Sequence, residues 1–317
     1  MKGFRKYVVV CAVLAVLLPV GSNAQMNNAP LVHLLNLMHD EDGDLLHWSG
    51  SVFAEPFMNE IYVIDGSQRI MIYTADLFPI FTIDKGNGLE SPLGLTVDEK
   101  GYIYVIQSPA RNNSRYRISV FNPILEWERD IYPEGFEGAD DFKPSSIDID
   151  KLGNMYLTGL GVSGVLVLDN AGRYQEVIAH VEGEKIVEVN YVRVKGDRIY
   201  LVSAVKGKIY VYDSGRTFLF QFGAKGGAPR HLSTPVSVDA DPGGNIYVVD
   251  YMRHVVLIYN DKGLWLAEFG GLGWGDSWFQ HPRSVSIDTA GRVFVADLMN
   301  NRIQVFRPID IEKPDDN

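Results

Sequence analysis

Short apolar runs separated by polar turns recur along most of the chain. The clearest group has runs at 234–238, 245–250, 256–259 and 264–269, with turns such as Asp241-Pro242-Gly243-Gly244 between them. Runs of this length between Gly, Asp and Asn are typical of antiparallel strands joined by tight turns. The same order of runs fits residues 92–126, 144–178, 190–222 and, with more drift, 51–83. The pattern therefore predicts an all-β chain built from repeated four-stranded units, with almost no helix.

A short phrase with a central aromatic residue marks each unit. Its six copies are Ile61-Tyr62-Val63, Ile103-Tyr104-Val105, Met155-Tyr156-Leu157, Ile199-Tyr200-Leu201, Ile246-Tyr247-Val248 and Val293-Phe294-Val295. The aromatic residues stand 42, 52, 44, 47 and 47 positions apart, which is the period of a propeller blade rather than of a helical repeat. Six copies predict a six-bladed β-propeller.

The sixth unit lacks a convincing fourth strand. Strands are predicted at 284–288, 292–297 and 302–306, but residues 307–317 (RPIDIEKPDDN) are too charged and proline-rich to continue the sheet. The apolar run at 31–38 (LVHLLNLM) belongs to no unit. We expect this N-terminal run to complete the last blade and to close the ring, which removes an unpaired edge. A short helix outside the ring is the alternative, because periodicity does not separate the two at this length.

The last unit also carries a recognisable motif. Residues 297–306 (DLMNNRIQVF), after Pro282-Arg283-Ser284-Val285 and 291–296, resemble the NHL repeat nearly in full. Residues 250–259 (DYMRHVVLIY) are a looser copy, and the other units keep only fragments. The sequence motif is recognisable in two blades, whereas the strand pattern of the whole of residues 25–317 resembles that of an NHL propeller. It implies an NHL-type propeller with a central channel. It implies no single activity, since similar propellers are protein-binding or RNA-binding platforms, lyases and lactonases.

The first 24 residues are organised like a secretory signal. Lys2, Arg5 and Lys6 precede an apolar run at 8–20, and Ser22-Asn23-Ala24 supplies a small-residue cleavage site. The apolar run is shorter than the roughly 20 residues that a membrane-spanning anchor, the alternative, would need. We therefore expect a signal peptide at 1–24 and a single propeller domain at 25–317, without a membrane span after cleavage, in the periplasm or secreted.

Charge and cysteine content narrow the classes of function. The chain has 29 Lys and Arg against 40 Asp and Glu, a formal net charge of -11, which argues against nucleic acid and anionic membranes as partners. The one cysteine, Cys11, lies within the predicted signal. A mature chain would therefore have no disulfide, thiolate metal site or cysteine nucleophile.

The starts of the innermost strands are the positions where a channel ligand would bind. They are Gly50-Ser51, Leu93-Gly94, Ser145-Ser146, Asn190-Tyr191, Val236-Ser237 and Arg283-Ser284. Without a carboxylate or imidazole they cannot by themselves hold a catalytic Zn²⁺ or Ca²⁺, so we expect no metal and no cofactor. Asn190 and Arg283 are candidate binding residues. We interpret the recurring serines 51, 146, 237 and 284 as close packing at the narrow inner edge.

Other polar residues have simpler interpretations. Asp98, Asp150 and Asp288 precede glycine turns and are expected to bond their own backbone. The stretch 40–44 (DEDGD) lacks the later ligands of a calcium loop and is expected to be a solvated connector. Three histidines near the last two blades, His231, His254 and His281, are expected to be ordinary loop residues rather than converging metal ligands.

The longest loops open on the face where the second-to-third-strand loops and the interblade loops emerge. Residues 107–116 and 129–143 extend blade 2 and carry Tyr132, Phe136 and Phe142; residues 270–280 carry Trp274, Trp278 and Phe279. Aromatic residues framed by charges suit a protein interface, although loop aromatics also tuck against their own blade.

These patterns together favour a non-enzymatic, exported binding or scaffold propeller that engages a protein partner in the cell envelope or extracellular space. A metal-dependent lyase or lactonase with its site in the central channel is the alternative. A carbohydrate-binding module is the second alternative, with a sugar or other small molecule as ligand.

Overall fold

The structure is a computed structural model that describes residues 31–309. The predicted signal at 1–24, with Cys11, lies outside the described residues, and so does the charged tail from residue 310 onward. Within 31–309 the chain forms six four-stranded antiparallel sheets and one separate two-stranded hairpin. This is the all-β six-bladed propeller that the repeat predicts.

The strands follow the chain order blade by blade, after a leading strand β1 (Leu31–Leu37). Blade 1 contains β2 (Ser51–Ala54), β3 (Ile61–Ile64), β4 (Ile70–Tyr73) and β5 (Pro79–Ile83). Blade 2 contains β6 (Pro92–Val97), β7 (Ile103–Gln107), β8 (Arg117–Phe121) and β9 (Trp127–Ile131). Blade 3 contains β10 (Lys143–Ile149), β11 (Met155–Leu160), β12 (Val165–Leu168) and β13 (Tyr174–Ile178). The separate hairpin is β14 (Val181–Glu182) and β15 (Lys185–Ile186).

The second half of the ring repeats this order. Blade 4 contains β16 (Tyr191–Lys195), β17 (Arg198–Ser203), β18 (Lys208–Asp213) and β19 (Phe218–Phe222). Blade 5 contains β20 (Pro235–Ala240), β21 (Ile246–Asp250), β22 (Val255–Tyr259) and β23 (Trp265–Gly270). Blade 6 contains β24 (Pro282–Ile287), β25 (Val293–Asp297) and β26 (Arg302–Pro308). Short 3-10 turns lie at Lys85–Asn87, Ala139–Asp141 and Leu298–Asn300.

The N-terminal strand β1 completes blade 6. It pairs antiparallel with β26, from Leu31 opposite Pro308 to Leu37 opposite Ile303, in the sheet order β1-β26-β25-β24. Leu31 and Leu37 are buried. The predicted closure of the ring is confirmed, and the alternative of an external helix is wrong.

The core lies between neighbouring blades. One cluster joins Leu37 and Val305 of blade 6 to Val52 and Met71 of blade 1, and each further pair of neighbours has a similar cluster. Each sheet is covered on both faces, so its middle strands are largely apolar, as in the fully buried β3.

The tyrosine of the repeated phrase forms a hydrogen bond to the turn before it. The Tyr104 hydroxyl donates to Asp98 Oδ2 at 3.3 Å, and Tyr156 donates to Asp150 Oδ2 at 3.1 Å. The other oxygen of Asp98 accepts the backbone N–H groups of Lys100 and Tyr102. Asp288 likewise accepts the N–H groups of Ala290 and Arg292. The turn role expected of these aspartates is confirmed.

The recurring serines do more than pack closely. Ser146, Ser237 and Ser284 each accept the backbone N–H of the next blade's innermost strand, at Val192, Val285 and Val52. The innermost strand has no further strand to pair with, so these hydroxyls satisfy N–H groups that would otherwise be buried unpaired. The serines are therefore ties between blades, which the packing interpretation missed.

Candidate functional site

All six innermost strands (β2, β6, β10, β16, β20 and β24) begin on one face of the ring, which we call the mouth face. A cavity of about 270 Å³ opens there at the ring axis. Its lining includes Gly50, Ser51, Leu93, Gly94, Ser145, Ser146, Asn190, Tyr191, Val236, Arg283 and Ser284. The structure thus brings together the positions that the sequence repeat aligned. No carboxylate or imidazole lines this cavity among residues 31–309.

A buried polar layer closes the channel below the mouth. It is formed by one residue from each innermost strand, two positions beyond the aligned starts: Phe53, Thr96, Asp148, Arg193, Asp239 and Ser286. Arg193 Nε and Nη2 donate to the two carboxylate oxygens of Asp239 at 3.0 and 3.1 Å. Its Nη1 donates to Asp148 at 3.3 Å, and the guanidinium lies 4.8 Å from the centre of the Phe53 ring. One side chain of blade 4 therefore contacts blades 3, 5 and 1.

The charges of this layer compensate one another. Burial alone would raise the pKa of Asp239, but Arg193 and Lys195 outweigh it and hold the pKa below its usual value. Burial opposes the charge of Arg193 as well, yet Asp239 and Asp148 raise its pKa. Lys195 Nζ donates to the Ile287 carbonyl at 2.8 Å and lies 3.5 Å from Asp239. The layer is thus an ion-paired plug in which Arg193 and Asp239 each favour the charged form of the other.

The plug divides the channel into two blind funnels. A second cavity, of about 260 Å³, lies on the opposite face and shares Phe53 and Arg193 with the first. The plug residues were not among the predicted channel residues, which were only the first positions of the innermost strands. The alternation of side chains along a strand was the available signal, since residues two positions apart on an innermost strand lie on the same face of the sheet.

Exposed apolar side chains surround the mouth, one from each blade. This crown consists of Trp48, Leu93, Leu160, Val205, Met252 and Met299. Backbone contacts hold its members beside the strand starts: Leu160 pairs with Lys143, and Met299 N donates to the Gln280 carbonyl at 3.1 Å. An apolar rim around a polar centre is the kind of surface that binds another molecule.

The predicted aromatic residues of blade 2 are tied to their own blades. Phe142 lies in the core between blades 2 and 3, and Phe136 packs edge-on against it at 5.6 Å. Tyr132 is half-buried; its hydroxyl accepts a hydrogen bond from Asn113, and the Arg115 guanidinium lies 4.6 Å above its ring. The sequence placed these side chains on an exposed face. Phe136 is more buried than the sequence predicted, because the ring of Tyr174 in blade 3 lies 6.0 Å from its own.

The aromatic residues of the loop between blades 5 and 6 divide into buried and exposed. Phe279 is fully buried, contrary to the expected exposed position, because it fills the core beside Phe306. Trp278 is partly exposed and packs over Gly271, where an added Cβ would meet its ring at 2.7 Å. Trp274 is 79% exposed. Of this loop, Trp274 is the aromatic side chain most open to a partner.

The two polar candidates at the mouth have different surroundings. Asn190 is engaged on both sides of its amide: Oδ1 accepts the Ala204 N–H at 2.6 Å, and Nδ2 donates to the Pro235 carbonyl at 3.4 Å. Arg283 is exposed, and no hydrogen bond or ion pair joins its side chain to another described residue. Arg283 therefore presents an open guanidinium at the mouth.

The histidines and the acidic connector make internal contacts. His281 N donates to His254 Nδ1 at 2.9 Å, whereas His231 Nδ1 lies 3.0 Å from the Pro229 carbonyl oxygen. No group of three or more His, Cys, Asp or Glu side chains in residues 31–309 is placed to hold a metal ion. Asp40 is buried and paired with Arg69 at 2.6 Å. The expectation of a wholly solvated connector is wrong at this residue, because Arg69 draws its carboxylate inward.

No helix in the described part of the chain has both the length and the apolar character needed to cross a bilayer.

Six four-stranded blades around a plugged channel define a β-propeller. The NHL repeat family model matches residues 279–306, which cover most of blade 6. The protein is a six-bladed β-propeller, and its sixth blade carries an NHL repeat. No curated protein sequence matches the chain significantly.

Solved structures with a similar fold come from bacteria and a fungus. A protein of unknown function from Bacteroides thetaiotaomicron VPI-5482 is similar with a TM-score of 0.63 and 14% identity, over 86% of this chain and 72% of its own. An auxiliary nutrient binding protein from Bacteroides ovatus ATCC 8483 is similar with a TM-score of 0.61 and 14% identity, over 88% and 76%. The Cps50 (Swd1) β-propeller domain of Myceliophteria thermophila is similar with a TM-score of 0.62 and 11% identity, over 88% and 100%. At these identities the similarity shows the fold.

Proposed function

We propose that the protein is an exported, non-enzymatic binding or scaffold propeller that holds a protein partner on its mouth face, in the cell envelope or extracellular space. The observation that carries this proposal is the crown. Six exposed apolar side chains, one from each blade, encircle a polar cavity whose floor is the ion-paired plug. A blind funnel with an apolar rim offers a surface for recognition rather than a passage.

Export rests on the sequence pattern of residues 1–24. N-terminal analysis of the protein recovered from the producing cell should find a chain that starts at Gln25 in the periplasmic or medium fraction. Retention of residues 1–24 in the cytoplasm would contradict export without affecting the binding proposal.

The partner is tested with crown variants that leave the core untouched. In a Leu160→Glu/Met252→Glu double variant, two charges replace apolar side chains that are 72% and 55% exposed. We expect capture of the cross-linked partner from the native envelope to fall by about tenfold or more, since the centre of an interface carries most of its binding energy. The melting temperature should stay near that of the unsubstituted protein, because neither side chain is buried.

The chain offers a matched control on the opposite face. Leu152 and Met58 lie in the turns after the innermost strands of blades 3 and 1, and are 81% and 70% exposed. Leu152→Glu/Met58→Glu makes the same change of charge and residue type away from the mouth. Equal capture by the two double variants would refute a partner site on the mouth face.

Binding of a small nutrient, including a sugar, is the second candidate. It is favoured by the two Bacteroides structures that are auxiliary nutrient binding proteins, of which the second is similar with a TM-score of 0.56 and 14% identity. A panel of free sugars that protects the protein against melting would support this candidate. Metal analysis distinguishes the enzyme alternative from a binding protein. Stoichiometric Ca²⁺ or Zn²⁺ retained through dialysis would favour a lyase or lactonase.

A further inference from the structure

Arg283 is an open cation at the centre of the proposed binding face. It is the second residue of β24 and lines the mouth cavity. Other arginines near blade ends are paired, such as Arg253 with Glu268 and Arg302 with Asp297. The Arg283 side chain has no such partner among residues 31–309. In a chain with 40 acidic and 29 basic residues, an exposed guanidinium that no carboxylate of residues 31–309 neutralises is available to a ligand.

The rest of the mouth lining favours an anion over a cation. Its open charge is the Arg283 guanidinium, because Arg193 on the floor is paired with Asp239 and Asp148, and no carboxylate of the described residues lines the cavity. The hydroxyl group of Ser51 adds a neutral hydrogen-bond donor. Burial raises the pKa of Tyr191 to about 12, so its hydroxyl adds no negative charge at neutral pH. A cation would meet Arg283 without any compensating acid, whereas an anion would pair with it.

The cavity is small for a pocket that encloses a whole ligand. At about 270 Å³ it is smaller than the roughly 300–1,000 Å³ of typical pockets for small-molecule ligands. The crown around it extends the contact area beyond the cavity. This combination suits one side chain or chain terminus that projects from a larger apolar surface.

We propose that a carboxylate group of the protein partner enters the mouth and pairs with Arg283. This inference rests on the proposed function and adds the chemistry that the partner must present. The planar guanidinium offers two parallel N–H donors to a carboxylate, an arrangement that a neutral amide cannot reproduce with equal strength. The crown then contributes apolar contact area, and Arg283 selects for a partner that places a carboxylate at the centre of the interface.

The anion site is tested directly with propionate as the probe and propionamide as its neutral counterpart of the same shape. Ligand-observed NMR should detect propionate bound to the full mature protein and no comparable binding of propionamide. Arg283→Gln should weaken propionate binding about tenfold or more, since a charge-assisted hydrogen bond is lost. Arg283→Lys should retain part of the binding, because lysine keeps the positive charge but lacks the two parallel N–H donors of the guanidinium.

Arg307→Gln is the matched control. Arg307 is an exposed arginine of β26, outside the mouth lining, so its loss should leave propionate binding unchanged. Equal weakening by Arg283→Gln and Arg307→Gln, or equal binding of propionate and propionamide, would overturn the anion site. Failure of the unsubstituted protein to bind propionate would overturn it as well.

Partner capture decides whether the carboxylate comes from the partner. Arg283→Gln should reduce capture while Arg307→Gln does not. If Arg283→Gln abolishes propionate binding but leaves capture intact, the partner does not supply the carboxylate and the inference fails, although the proposed function stands. If the crown variant also captures normally, the proposed function itself fails, so the two failures are distinguishable.

Discussion

Two residues at the same position of neighbouring blades show how single side chains hold the loops of the mouth face. His254 of blade 5 and Asn301 of blade 6 both have a left-handed backbone, with φ of 59° and 54°. Each accepts the backbone N–H that lies three residues before a channel serine: His254 Nδ1 from His281 at 2.9 Å, and Asn301 Oδ1 from Trp48 at 2.7 Å. The histidine can accept only while Nδ1 is unprotonated.

The His254 contact should therefore depend on pH. Burial, and then the neighbouring His281, lower the pKa of His254. Because the folded-state pKa is below the unfolded value of about 6.5, the stabilisation is present above that pH and is lost as the pH falls through the folded-state pKa. His254→Asn keeps an acceptor that suits the left-handed backbone and removes the titration. We expect the variant to lose less stability than the unsubstituted protein between pH 7 and pH 5.

Urea denaturation at the two pH values measures the effect. Asp250, Asp297 and His281, the other charged or titratable groups that act on His254, are present in both proteins, so their own contributions largely cancel. An identical change in urea midpoint for the two proteins would rule out His254 as a source of the pH dependence.

At the scale of elements, β1 occupies the position of the fourth strand in blade 6, which no other described strand fills. The sequence after β26 is charged and proline-rich, and the apolar run at 31–38 belongs to none of the six repeated units. Within β1, Leu37 is 5% exposed and packs into the cluster between blades 6 and 1, whereas Leu34 is 42% exposed. The strand is therefore held by its ends and by the ladder with β26.

Two leucines of β1 provide a test of closure by burial. Leu37→Ala should lower the free energy of unfolding by about 2–5 kcal/mol, since it removes buried methyl groups and leaves a cavity. Leu34→Ala, with the same chemical change at an exposed site, should stay within about 0.5 kcal/mol. Urea denaturation gives both values. Similar losses for the two variants would contradict the observed register of β1 on β26.

At the scale of the whole molecule, the plug is where distant blades meet. Arg193 contacts Asp148, Asp239 and Phe53, which belong to blades 3, 5 and 1. Asp148 Oδ2 and Asp239 Oδ2 also accept the N–H groups of Val194 and Ile287 on the following blades. Loss of this one guanidinium would leave two buried carboxylates without their main partner.

Arg193→Met should destabilise the ring as one unit. We expect a loss of about 3–5 kcal/mol, the usual result of removing one partner from a buried ion pair. Arg307→Met, an exposed arginine on β26, should change stability by no more than about 0.5 kcal/mol. Calorimetry should show a single transition for residues 25–317 in each protein, shifted down for Arg193→Met. Two separate transitions would contradict the single domain, and an unshifted one would show that the plug adds no net stability.

The sequence alone determined the number of blades and the strand order, and it indicated the closing strand, for which a helix remained the alternative. These follow from the period of the Tyr phrase, from turns such as Asp241-Pro242-Gly243-Gly244 and from the charged end of blade 6, all of which are local signals. It also located the residues of the mouth, because equivalent positions of a repeat converge at the axis of a ring.

Only the tertiary structure decided which side chains meet there and which loop aromatics are buried. Arg193 pairs with Asp148 and Asp239, which lie 45 and 46 positions away in the sequence. No local sequence pattern predicts these contacts. Phe142 is buried because the neighbouring blade covers it, whereas Trp274 has no such cover. Local periodicity determines which way a residue points along its strand, but its surroundings depend on blades that are distant in sequence.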